Sequence, residues 1–357
     1  DENNKVSKRK FDHLQGEQSE EHEDNQTEFA QPSVWVDWLN LLANHEATFH
    51  PYSPEANNII RSGKGISPKP YLDRELYTKH MENCDETSDS IIPEAFIEFI
   101  DATVGCDDLV QFKHEIRKLT IHMVSLNKQE IENLEVLEGI LWEAYKMYSS
   151  YINKEKYEDS YNQLLIWPYL EIIAMNVQTS NCKSGFESGQ PHLNSMNSQL
   201  KANGIHFDEK SFYKSDGLIR AYGIKQLELL VLETSGHFGN TDKVKINFDH
   251  HKGKQLHLWS MSFRKEGVFN LWREEVLTIK PEYEERDEYV PDLVKFCWTM
   301  KCLLEELVEN IIELKKDHKS KLASYRYNAK SPASLQDIVR PIILKLTKDE
   351  DSSDMNS

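Results

Sequence analysis

Asp216 and Glu233 stand at the two ends of one stretch, Ser215 to Ser235, whose pattern is that of a β-hairpin. Asp216 opens the run Ser215-Asp216-Gly217-Leu218-Ile219-Arg220. Glu233 ends the run Leu227-Glu228-Leu229-Leu230-Val231-Leu232-Glu233. Between the two apolar runs, Gly223-Ile224-Lys225-Gln226 reads as a turn. A turn centred between Ile224 and Lys225 sets Asp216 directly opposite Glu233, and opposed residues share a face with Cβ atoms roughly 5 Å apart. Two carboxylates so close repel each other, and a divalent cation between them relieves the repulsion. The chemistry this points to is metal-dependent phosphodiester cleavage, where Mg²⁺ or Mn²⁺ acts as a Lewis acid toward a water and a phosphate.

Other residues must be brought to such a pair. A helix expected over about Tyr157 to Val177 carries Glu171, whose helical neighbours Leu164, Trp167, Pro168, Ala174 and Met175 are nearly all apolar. A carboxylate centred on an apolar face is costly to bury without compensation. Either Glu171 faces a partner arginine or the edge of the stripe, or it points to the same site as Asp216 and Glu233. After Glu233, the segment His237 to Gly253 concentrates His, Lys, Asp and Asn, including Lys243, Lys245, His250 and His251. It reads as an exposed helix with its cap, or as the lining of an active site in which His237 or His250 moves a proton. Arg264, Lys265, Arg273 and Lys254 alternate with Trp259, Phe263 and Trp272. That is the pattern of an amphipathic strand pair, and also of a nucleic-acid strand's platform.

The order of elements (a helix with Glu171, a strand opened by Asp216, a strand ending in Glu233-Thr234-Ser235, then a helix and a strand) resembles the PD-(D/E)XK, or restriction-endonuclease-like, nuclease superfamily. The resemblance implies an α-β-β-β-α-β core in which Asp216 and Glu233 ligate a metal. It also implies that the Thr234 carbonyl completes the site and that Glu171 is the helix carboxylate. Ser235 occupies the position of the family's lysine, which stabilises charge developing at phosphorus. Lys243 and Lys245 are the candidates to supply that charge from the following helix. The Ser-Asp-Gly…Leu-Glu-Thr-Ser-Gly-His pattern is also similar to that of a group of fungal proteins, a likeness that implies no activity.

Around this core the chain reads as α+β: a helical N-terminal region, a small mixed sheet flanked by helices, and a long C-terminal helix. Residues 1–31 read as a disordered acidic tail, 32–156 as a helical region, 157–320 as the nuclease-like core, and 321–357 as a peripheral segment with an acidic tail. Pro51, Pro54, Pro68 and Pro70 mark 50–72 as loop. Residues 178–203 read as a linker with a short helix, further strands are expected at 256–263, 268–272 and 276–279, and Pro291 opens the long helix.

The formal net charge is -18 over 357 residues. Asp1 to Glu28 carries nine acids against four bases, and Lys348 to Ser357 four against one. The remaining acidity weighs against general nucleic-acid binding, which draws on Lys and Arg contacts to phosphate. DNA or RNA is therefore reached through a local basic groove and metal, or the partner is another protein. That second reading makes the chain a non-catalytic scaffold. Five scattered cysteines form no CxxC pair, so neither a disulfide framework nor a zinc knuckle is indicated. With no membrane-length apolar run and no signal peptide, the expected location is intracellular, nuclear or cytoplasmic.

Overall fold

The computed structural model describes residues 34–45, 49, 53–68, 72–84, 92–122, 126–151, 158–179, 182–202, 204, 213–234, 255–264 and 267–325. It is mixed α and β, with helices, two small sheets and a long C-terminal helix. Two compact units divide it, one drawing its described residues from 1–88 and 259–273, the other from 89–258 and 274–331. The units are not consecutive stretches. The chain passes from one to the other inside strands, at 258/259 and 273/274.

In the first unit, α1 (Val34–His45) and α2 (Arg74–Asn83) accompany β1 (Ile59–Gly63). Asp73 caps α2 by accepting the Leu76 N–H at 2.8 Å. β1 runs parallel to β7 (Phe269–Thr278), with Ile59 opposite Phe269 and Gly63 opposite Arg273, and β7 in turn neighbours β6 (Gln255–Phe263). Trp38, Leu42, Phe49, Ile60, Leu72, Tyr77 and Val268 form this unit's core.

The second unit is built on helices whose apolar residues recur every three to four positions. In α3 (Glu94–Val104) the buried residues at this spacing are Phe96, Ile100 and the polar Thr103, and in α4 (Leu109–His122) Phe112, Ile116 and Leu119. The capping box expected at Asn127 and Glu130 opens α5 (Lys128–Ser149). After α6 (Glu158–Leu165), Pro168 sits in the first turn of α7 (Trp167–Asn176), where its missing N–H costs nothing. The second sheet follows as β2 (Gln178–Thr179), β3 (Cys182–Ser188), β4 (Gly217–Ala221) and β5 (Leu227–Leu232), antiparallel throughout and in chain order, with α8 (Asn194–Ala202) between β3 and β4. Ser184 fastens β3 to the C-terminal end of α7, its single Oγ–H shared between the Ala174 and Val177 carbonyls at 2.5 and 2.7 Å. The helix α9 (Arg286–Tyr325) packs with its N-terminal half and exposes residues 313–321.

Several expectations need correction. The described residues form two sheets rather than one. Residues 178–203 are not a linker: they hold β2, β3 and α8. The proline-rich stretch 50–72 contains β1. The strands expected at 268–272 and 276–279 are one, because Glu274 and Glu275 are buried and the strand runs through them. The last helix starts at Arg286, with Pro291 inside it. β6, the strand after 235–254, hydrogen-bonds to β7 in the other sheet rather than lying beside β5. The acidic tails 1–31 and 348–357 lie outside the described residues.

Candidate functional site

β4 and β5 carry Asp216 and Glu233 at their open ends. The ladder ends where Gly217 pairs with Leu232, and the Asp216 N–H donates to the same Leu232 carbonyl at 3.0 Å, one residue off the register that would set Asp216 opposite Glu233. The register up to Gly217 and Leu232 comes about by an unexpected route. Ala221 pairs with Leu227, which centres the turn on Ile224 itself, half a residue early. A bulge then leaves Leu229 unmatched between Leu230, opposite Ile219, and Glu228, opposite Arg220, and the extra residue restores the register. Lys225 and Gln226 take left-handed backbone angles in the turn.

Asp216 is half-buried and closes the hairpin. Its Oδ2 accepts two hydrogen bonds, from the Thr234 N–H and the Thr234 hydroxyl, each at 2.6 Å. Asn162 of α6, almost fully buried, donates its amide to the same hydroxyl at 3.2 Å. A relay from α6 through Thr234 thus ends on one oxygen of Asp216 and leaves Oδ1 outside the clamp. Glu233 is exposed.

The remaining expected site residues are not gathered here. Glu171 is exposed on α7, whose buried face is Tyr169, Leu170, Ile173 and Ala174. It sits at the edge of the apolar stripe together with the exposed Met175. Ser235, Lys243 and Lys245 lie outside the described residues, as do His237, His250 and His251. Among the described residues no group of three or more His, Cys, Asp and Glu side chains is arranged to hold a metal ion. The candidate donor set at the hairpin mouth is therefore the pair of carboxylates on Asp216 and Glu233. That suits a water-rich Mg²⁺ or Mn²⁺ site, which commonly uses one or two carboxylates and completes its shell with water and phosphate. It does not suit an all-protein Ca²⁺ cage or a structural zinc site.

A second polar centre escaped the sequence reading. Arg220 is 3% exposed in a strand whose five residues are all buried. Its guanidinium meets Glu187 at 3.0 Å, Glu228 at 2.9 Å and the His192 carbonyl at 2.7 Å. Glu228 also accepts the Asn194 N–H at 2.6 Å and the Ser195 hydroxyl, so it covers the N-terminus of α8. The network knits β3, β4, β5 and α8 together. Removing one member would strand buried charge, at about 3–5 kcal/mol. The signal was present: an arginine inside Gly-Leu-Ile-Arg-Ala demands counter-charges from its neighbouring strands.

Arg264 and Arg273 stack on aromatic rings, while Arg264 Nε and Trp272 Nε1 are buried with no hydrogen-bond partner among the described residues. Arg264 lies over the Trp35 ring at 5.1 Å and Arg273 over Trp259 at 5.7 Å, while Arg273 Nε donates to the Lys64 carbonyl at 2.5 Å. Lys254 and Lys265 are outside the described residues. Among the described residues no helix is long and apolar enough to cross a membrane. Comparison with protein families, curated proteins and solved structures found no match to this chain.

Proposed function

We propose that the second unit carries a restriction-endonuclease-like, phosphodiester-binding core in which Asp216 and Glu233 hold Mg²⁺ or Mn²⁺. The observation that carries this reading is the antiparallel pairing of β4 and β5 up to Gly217 and Leu232, which brings Asp216 and Glu233 to the same end of the hairpin. The succession α7, β3, β4, β5, an antiparallel meander in chain order behind a helix, supports it. In this reading Asp216 ligates through Oδ1, because Oδ2 is occupied by Thr234. Ser235 offers no positive charge at the family's lysine position, so cleavage of DNA or RNA is weak or absent unless Lys243 or Lys245 supplies it.

A second reading has its own observation. The two bonds from Thr234 make Asp216 a staple that fastens the hairpin's open end, and a staple needs no metal. The protein is then a non-catalytic scaffold for a protein partner. Calorimetric titration with Mn²⁺ separates the two. Under the metal reading the wild type binds saturably, and both Asp216→Asn and Glu233→Gln abolish binding while Thr234→Val leaves it measurable. Absence of heat in the wild type, with Asp216→Asn lowering only the unfolding midpoint, would establish the staple.

A further inference from the structure

In the second unit, α4 buries Phe112, Ile116 and Leu119. At about 3.6 residues per turn, Val110, His114, Arg117 and Ile121 fall on the opposite side, within about 60° of one another. All four are exposed, Val110 at 77% and Ile121 at 73%. Two branched apolar side chains therefore stand in water at the two ends of one stripe, with two basic side chains between them. Single hydrophobes scattered on a surface need no explanation, but a stripe framed by them at both ends has the make-up of a contact face. Val110, Gln111, Lys113, His114, Glu115 and Arg117 also line an open cleft of about 400 Å³ on this helix.

The charge of this face is opposite to that of the molecule. The chain has a formal net charge of -18, yet α4 holds Lys113, Arg117 and Lys118 against a single acid, Glu115. Lys118 pairs with that acid at 2.6 Å. Asp108, just before the helix, accepts the Val110 and Gln111 N–H groups at 2.8 Å, and Glu138 of α5 accepts the Thr120 hydroxyl. Lys113 lies over the Tyr145 ring at 5.2 Å, which holds its ammonium to one side of the stripe. Among the described residues, the His114 and Arg117 side chains have no ion pair or hydrogen bond. An unpaired guanidinium between two exposed apolar residues fits a carboxylate flanked by apolar side chains.

We propose that the outward face of α4 docks an acidic amphipathic helix of a partner protein. Val110 and Ile121 contact its apolar residues, and Arg117, with His114, its carboxylates. The stripe covers about 16 Å along the helix axis. A helix laid along it matches with apolar residues at i and i+11 and Asp or Glu at i+4 and i+7, a spacing that reads the same in both directions. A nucleic acid fits less well, because its phosphates would leave Val110 and Ile121 in water and the net charge repels a long polyanion. The docking involves neither Asp216 nor Glu233, so it stands or falls apart from the hairpin.

The test uses the full chain and a fluorescein-labelled, alanine-based peptide with leucines and glutamates at those four positions, followed by anisotropy. Saturable binding at micromolar protein is expected, as for other small interfaces. Arg117→Glu weakens it by about 10-fold or more, and so does Val110→Ser combined with Ile121→Ser. These side chains are exposed, so folding is expected to survive, as near-ultraviolet circular dichroism checks. Lys319→Glu, the same kind of charge change on the exposed end of α9, leaves the affinity unaltered. Bound peptide slows amide exchange in α4. No saturable binding, an equal loss with Lys319→Glu, or protection confined to other elements would overturn the proposal. Displacement of the peptide by a single-stranded oligonucleotide of equal charge would assign the face to nucleic acid instead. Self-association of the chain that Arg117→Glu abolishes would assign it to a second copy.

Discussion

Buried His80 accepts the Trp38 Nε1–H at its Nδ1, so it cannot take a second proton without giving up that bond. Burial first, and then the positive charge of Arg264, lower its folded pKa to about 4, below the ~6.5 of an unfolded histidine. Above ~6.5 neither state binds the proton and the group has no effect on stability. Below it the unfolded chain gains a proton that the folded chain refuses, so stability falls by about 1.4 kcal/mol per pH unit until the native pKa is reached. Urea unfolding of the first unit between pH 7 and 4 is expected to show this slope, and His80→Phe to remove it. The same scale shows why the candidate site was only partly legible. Counting along a hairpin leads one to expect Asp216 opposite Glu233, whereas the ladder ends at Gly217 and Leu232 and the Asp216 N–H bonds across to Leu232. That Thr234 would claim one oxygen of Asp216 does not follow from counting, because the clamp depends on where the chain turns after β5. Glu171 misled for a related reason: its neighbours three and four positions away are apolar, yet one of them, Met175, is itself exposed.

At the scale of elements, β1 lies tight against β7 at Gly63. Its φ of +106° is unsuited to side chains, and an added Cβ would meet the Arg273 carbonyl oxygen at 2.5 Å. Gly63→Ala is expected to part these strands, lowering the unfolding midpoint of the first unit and speeding amide exchange in β1. The Arg264–Trp35 stacking should loosen with it, read as a change in tryptophan fluorescence. Helices α3, α4 and α5 were readable because their own sequence carries period and cap. β1 and β3 were not. β1 offers only Ile59 and Ile60 among prolines and glycines, and β3 reads Cys-Lys-Ser-Gly-Phe-Glu-Ser, whose strand character comes from pairing with β4 and from Ser184 gripping α7. Glu274 and Glu275 hid the length of β7 by the same logic, since Lys295 of α9 answers Glu275 at 3.0 Å from far along the chain.

At the scale of the whole molecule, the first unit is closed by residues that arrive late. Val268 completes its core, and Ser62 reaches Asn270 across 208 residues. A fragment of residues 1–88 is therefore expected to show no cooperative melting, because β1 would have no strand beside it and Trp38 and Ile60 would lose their cover. A sharp transition in that fragment would refute the dependence. The same separation sets a clock on biosynthesis. With elongation at about 5–20 residues per second, roughly 10–40 s pass between the emergence of β1 from the ribosome and that of its partner. Through that interval the aromatic faces of α1 and α2 and the bare edge of β1 stand open, while the helices of the second unit, made of local contacts, already assemble. The nascent chain thus exposes the apolar faces of its first unit early and covers them late.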